Sequence, residues 1–429
     1  MAAVQADSAD RTLVERATRV LPAGSFGNLS GSIIIREGQA GRVRDVHGRE
    51  YVDYLLGSGP MFIGHCHPEV MAAVQQQIPR GTTFFANNEH GIRLAERICD
   101  AMACADMVRF VSAGSEATLY AMRAARAHRK RDKILKFEGG FHGMSDYSLQ
   151  SLAPRRLSNF PNAVADSAGI PARISDEVLI APFNDAETVR SLIEEHHDEL
   201  GGVIVEAFQR LIPPKPGFLE ALREITSRYE IPLIFDEIVT GFRFAYGGAQ
   251  EYYGVTPDMC TLGKIVGGGF PLAAVCGSAE LMAHFDRSAV GEDDFLPQIG
   301  TLSGNPVAAV AGLATLDVLE RPGSYEKVFD TGRRLMQGLS QAMNAAGHTH
   351  RIVGEPPLFD IQFTDGPVEN YRGMFAADAG KLQKFNALLL ERGVLKGDSK
   401  FYVGLAHDEA DIELTLDAFA SAARVLPVT

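Results

Sequence analysis

Leu233-Ile234-Phe235-Asp236-Glu237 is an apolar run that ends in acid. Thr261-Leu262-Gly263-Lys264-Ile265-Val266-Gly267-Gly268-Gly269, a little further on, is an apolar run that ends in a lysine among glycines. Both read as short buried strands that hand over directly to a polar side chain and a turn. Working outward, Met107 to Val111, Lys133 to Phe137, Val203 to Glu206, Leu233 to Asp236, Met259 to Leu262 and Ala273 to Cys276 have the same character, with longer helical patterns between them. Strands that are almost continuously apolar are covered on both faces. Their alternation with helices from about residue 107 to 277 predicts an α/β domain with a largely parallel sheet. In such sheets ligands bind outside the carboxyl ends of the strands, where Asp236 and Lys264 fall.

Before this core, residues 42–53 read as a hairpin with His47-Gly48 in the turn. After it, a helical stretch from Pro306 to Leu319 leads to a second α/β segment that ends with Ile412 to Val425. The organisation expected is an amino-terminal segment, 1–60, that joins a smaller lobe, a large domain over 61–310, and a carboxy-terminal small α/β domain over 311–429.

A chain of 429 residues with 46% hydrophobic and 22% charged residues is ordinary for a globular enzyme. A net charge of −13 argues against nucleic acid or an anionic membrane surface as partner and leaves small metabolites. Leu13 to Leu21 reads as an amphipathic helix rather than a signal peptide, and Pro306 to Leu319 is too short to span a bilayer, so cytoplasmic residence is expected. The five cysteines are scattered and read as buried free thiols. His65-Cys66-His67 has no second ligand pair at zinc spacing, so no metal is expected. His196-His197 and the basic run Arg123, Arg126, Arg129, Lys130 and Arg131 read as solvated.

Phe110-Val111-Ser112-Ala113-Gly114-Ser115-Glu116-Ala117 is a strand, a tight turn of small residues and a helix start that runs on to about Arg129. Such a turn presents backbone amides and a helix N-terminus to an anion, although plain helix capping explains the same residues. The aspartate and lysine downstream favour a phosphate. A strand-end aspartate and a lysine in this order suggest pyridoxal 5'-phosphate. Asp236 would keep the pyridine nitrogen protonated, and Lys264 would form the Schiff base and then shuttle a proton.

The same residues carry a resemblance over the chain from about Leu21 to its carboxyl end. Gly64-His65-Cys66-His67-Pro68-Glu69-Val70, residues 132–143, residues 235–254, residues 261–269 and Gly300-Thr301-Leu302-Ser303-Gly304-Asn305-Pro306 resemble the class III, fold-type I aminotransferases, most closely the glutamate-1-semialdehyde 2,1-aminomutase-like members. The resemblance implies that Gly114 and Ser115 bind the cofactor phosphate. Phe141 would stack on the ring beside His142, with Ile238 on the opposite face. Asp236 would pair with the ring nitrogen, Lys264 would bond to the cofactor, and Glu206 would support the site. Thr301 would reach the phosphate of a neighbouring subunit, which implies a homodimer with shared sites.

Departures from the aminomutase pattern concern the substrate. An arginine expected after the amino-terminal Pro-Gly-Gly segment is Ser30 here, an aromatic residue before the Gly-Pro step is Ser58, and the loop after Glu206 is shorter. An acidic carboxy-terminal position is replaced near Asp398-Ser399-Lys400. Arg210 is the candidate for a substrate carboxylate, with a structural ion pair as its other reading. The expected activity is ping-pong transfer of an amino group between a keto acid and an amino acid, including β-amino or other non-standard ones, or an amine. The alternatives are the aminomutase reaction, another reaction at the same cofactor such as epimerisation or decarboxylation, and a binding protein without turnover.

Overall fold

The computed structural model describes residues 8–27, 29 and 33–428. Its centre is a seven-stranded sheet of β1 (Met107–Val111), β2 (Lys133–Phe137), β3 (Val178–Ala181), β4 (Leu200–Val205), β5 (Leu233–Glu237), β6 (Met259–Leu262) and β7 (Ala273–Gly277). Their order across the sheet is β1-β7-β6-β5-β4-β2-β3. Only β7 pairs antiparallel with its neighbours, so the other six strands point the same way. Every residue of β4, β5, β6 and β7 is buried, as the continuous apolar runs require. Fully burying each Val, Leu or Ile contributes roughly 1.5–3 kcal/mol.

The expected strands are present, and the differences have physical causes. β4 begins at Leu200 because Gly201 and Gly202 are part of it: a Cβ would lie 2.5 Å from the Arg131 carbonyl at the first and 2.9 Å from Ala125 Cβ at the second. Glu206 therefore stands one residue past the strand end.

Residues 42–45 and 50–53 form the expected hairpin, with Gly48 at φ +83 in its turn. The second hairpin strand is joined by Val394–Leu395 running parallel to it, so amino-terminal and carboxy-terminal segments share one four-stranded sheet. A three-stranded sheet of Arg351–Glu355, Leu358–Gln362 and Phe401–Tyr402 lies in the carboxy-terminal part. No helix among the described residues is long and apolar enough to cross a membrane.

Two expectations need correction. Cys104, Cys260 and Cys276 are buried, but Cys66 is exposed and Cys99 partly so; Cys66 occupies a turn at φ +53, outside the packed elements. The basic run is also not uniformly solvated. Arg126 donates to the Asp132 carbonyl at 2.6 Å with its guanidinium 4.0 Å from the Tyr147 ring centroid, and Arg129 donates to the carbonyls of Tyr229, Glu230 and His197. These arginines tie the helix end to loop carbonyls. His197 stacks on Tyr229 at 4.3 Å, and His196 Nδ1 lies 3.0 Å from Glu199.

The helix Pro306–Leu319, buried on nearly all sides, braces the turn that carries Lys264. A Cβ on Gly312 would stand 2.2 Å from the carbonyl oxygen of Val266, so only glycine permits this approach. Gly312→Ala is expected to cost about 1–3 kcal/mol by overpacking and to lower turnover by displacing residues 264–267. Denaturant unfolding reads the first effect, and an unchanged midpoint would contradict this packing.

Candidate active site

Five parallel strands deliver the candidate residues. β1 ends before Gly114 and Ser115, β2 before Phe141 and His142, β4 before Glu206, β5 at Asp236 and Glu237 with Ile238 next, and β6 before Lys264. β2, β4, β5 and β6 are consecutive in the sheet, so residues far apart in sequence converge at one edge of it.

Asp236 is 4% exposed, and its Oδ2 lies 2.8 Å from His142 Nδ1. A carboxylate only accepts, so Nδ1 carries the proton and donates. The other oxygen accepts from the Ile238 amide at 3.1 Å and from Thr261 Oγ1 at 3.2 Å. His142 is itself buried, and its backbone carbonyl accepts from Thr118 Oγ1 at 2.6 Å, which fixes the segment that carries the ring. These contacts fix the orientation of the Asp236 carboxyl group.

Lys264 adopts φ +50, a left-handed conformation that costs a non-glycine residue of order 1–3 kcal/mol. Burial, followed by the nearby Arg243 guanidinium, holds its amine below the usual lysine range, and Asp236 works against that shift. More of the amine is therefore free to act as a nucleophile or base near neutral pH.

The helix Gly114–Arg129 begins after Ala113, whose side chain cannot cap it. Glu116 instead accepts from the Ser112 amide at 2.9 Å, and the amides of Gly114 and Ser115 make no hydrogen bond among the described residues. Plain capping is thus not what this turn does; it leaves two donors at a helix N-terminus, suited to an anion. Ile238 packs over this turn and over the lysine turn. A Cβ on Gly114 would lie 3.2 Å from Ile238 Cδ1, and one on Gly263 would lie 3.1 Å from the same atom.

The Phe141 amide donates to Glu206 Oε2 at 2.9 Å, and the ring is 38% exposed, with the Arg210 guanidinium 5.3 Å from its centroid. Arg210 makes no ion pair among the described residues, so its structural-pair reading finds no partner. Thr301 is exposed and is not brought to the Gly114 turn of its own chain; its carbonyl accepts from Thr83 Oγ1 at 3.2 Å. Ser58, at φ +66, is exposed beside Gly59, whose carbonyl accepts from Arg243. Ser30 lies outside the described residues.

Two residues at the site were not singled out from sequence. Arg243 is fully buried, donates to the Val239 and Gly59 carbonyls, and lies 5.0 Å from the Phe62 ring centroid and 5.1 Å from that of Tyr402. Burial pushes its pKa down to about 10. Lys400 is 8% exposed and faces Arg210, Glu206, Lys264 and Arg243. The signal was present in one case only, as the unusual Asp398-Ser399-Lys400 segment.

The family model for aminotransferase class-III matches residues 26–422. The chain belongs to that family. Similar proteins include glutamate-1-semialdehyde 2,1-aminomutase 2 of Brevibacillus brevis, 40% identical over 404 residues and covering 92% of each chain. Among solved structures, an omega-transaminase from Sphaerobacter thermophilus superposes with a TM-score of 0.92 at 34% identity over 98% of each chain. A transaminase with PLP bound superposes with a TM-score of 0.89 at 29% identity over 97% of each chain. Class III aminotransferases use pyridoxal phosphate, and this member's residues fit that group. The two free amides at Gly114 and Ser115 suit a phosphate, the buried and oriented Asp236 suits a protonated ring nitrogen, and the depressed Lys264 amine suits covalent attachment.

Proposed function

We propose that this class III aminotransferase moves an amino group between an amino acid or amine and a keto acid, in two half-reactions, through Lys264 and Asp236. The observation that carries the reading is the placement of a buried, His142-held carboxylate and a low-pKa lysine at adjacent parallel strand ends. Pyridoxal phosphate, when bound, supplies an electron sink for the pair released as a proton leaves the substrate carbon. Gly114 and Ser115 would hold its phosphate through their amides. Asp236 would keep the proton on the ring nitrogen, and Phe141 and Ile238 would hold the ring from either side. Glu206 fixes the Phe141 backbone. Lys264 Nζ would hold the cofactor covalently and would serve as the base at the amine-bearing carbon, a role worth roughly 10²–10⁴-fold.

The proposal includes a homodimer in which Thr301 completes the partner's site. Exposed Phe84, Phe85, Ile92, Met107, Ile299 and Leu302 support it, as apolar side chains that a second copy would cover. It also includes the division at residues 60 and 310, and cytoplasmic residence. The aminomutase reaction stands as the second reading because of the 40% identity with an aminomutase over nearly the whole chain.

A panel of amino acids and amines, each mixed with the holoenzyme without acceptor, tests the reading by conversion of the bound cofactor to its pyridoxamine form. Conversion by at least one donor, reversed by a keto acid, is the expected result. Failure with every donor, or production of 5-aminolevulinate from glutamate 1-semialdehyde without any acceptor as the sole activity, overturns it.

A further inference from the structure

Around Lys264 the positive charges outnumber the negative ones. Arg210, Arg243 and Lys400 face the same space as Lys264, whereas the carboxylates there are Glu206 and Asp236. Asp236 has both oxygens engaged by His142, Ile238 and Thr261, and Glu206 accepts from the Phe141 amide. Arg243 is held by two carbonyls through Nε and Nη2 and by two aromatic rings, with only its Nη1 left without a hydrogen-bond partner. Arg210 and Lys400 remain: among the described residues, neither side chain makes a hydrogen bond or an ion pair, and Arg210 lies over the Phe141 ring. Burial, followed by the Arg210 guanidinium, holds the Lys400 amine well below the usual lysine range, and an anion placed beside it favours its charged form.

Lys400 is also held in place by its backbone. It closes a tight turn with Gly397 through an antiparallel bridge, and Asn386 Nδ2 donates to the Asp398 carbonyl at 2.7 Å inside that turn. The strand Phe401–Tyr402 that follows pairs with Leu358–Gln362. A buried amine delivered by a fixed turn is pre-organised for a ligand. The cofactor phosphate has its own donors at Gly114 and Ser115 and does not require it.

We propose that Lys400 and Arg210 together form the receptor for a carboxylate on the substrate, so that the preferred amino donors are amino acids rather than uncharged-chain amines. This rests on the aminotransferase reading and adds the substrate class and a residue, Lys400, to it. An entering carboxylate supplies the anion that both side chains lack, and it accepts hydrogen bonds from an ammonium and a guanidinium at once.

The test pairs 3-aminobutanoate with 2-aminobutane, which differ only by carboxylate against methyl, and adds butanoate as an unreactive carboxylate probe. In the loaded wild-type enzyme butanoate is expected to bind, measured by calorimetry, and its affinity is expected to fall at least about ten-fold in Lys400→Met and in Arg210→Met. The ratio of first-half-reaction efficiencies, 3-aminobutanoate over 2-aminobutane, is expected to fall at least about ten-fold in the same variants and to be largely kept in Lys400→Arg. Butanoate binding that is absent in the wild type or equal in Lys400→Met overturns the proposal, as does loss of the ratio in a folded Lys400→Arg. If neither donor reacts while butanoate binding still depends on Lys400, the aminotransferase reading fails and the carboxylate receptor stands.

Discussion

Lys264→Ala is expected to lose at least about 10³-fold in turnover and to release its cofactor on dialysis. The substitution removes two functions that no other side chain takes over: the covalent hold and the base at the substrate carbon, the latter alone worth roughly 10²–10⁴-fold. Lys400 is the nearest alternative amine by its surroundings, since it faces Lys264, Arg210, Arg243 and Glu206. It does not substitute, because its backbone is fixed in a separate turn closed by Gly397. Turnover of Lys264→Ala within ten-fold of wild type, or retention of a covalently attached cofactor, would contradict the assignment.

Asp236→Asn is expected to keep the fold and cost about 10²–10³-fold in activity, the range seen when an oriented electrostatic partner is removed. The single amide oxygen of asparagine can accept either from His142 Nδ1, which lies 2.8 Å from Asp236 Oδ2, or from the Ile238 amide at Oδ1, so one hydrogen bond is given up with the charge. The isosteric side chain keeps its place through the remaining contact, while the negative charge that keeps the ring nitrogen protonated is lost. Thermal unfolding separates the cases. A large loss of activity with a melting temperature close to wild type supports an electronic role, whereas a matching loss of stability would mark Asp236 as a structural residue.

The large sheet was legible because strands covered on both faces must be apolar throughout, and β1, β2 and β6 were bounded to the residue. β3 escaped notice, being four residues long and preceded by the acidic Asp176 and Glu177. Composition carries no direction, so the antiparallel course of β7 was not readable. Asp236 and Lys264 stood out since a charged residue at the end of a buried run has few structural reasons to be there. Arg243 and Lys400 did not, because their burial depends on rings and turns from distant segments: Phe62 and Tyr402 for the arginine, and the turn at Gly397 for the lysine. The basic run after the phosphate turn misled for the same reason. Arg126 and Arg129 meet carbonyls and an aromatic ring that only the folded chain brings near.

Borohydride reduction of the protein loaded with pyridoxal phosphate, followed by peptide mass spectrometry, tests the central claim most directly, because reduction makes the lysine attachment permanent. One pyridoxyl-phosphate group per chain, on the peptide that contains Lys264, is the result expected. Label on another lysine, Lys400 included, or no stoichiometric label would contradict the assignment of this site.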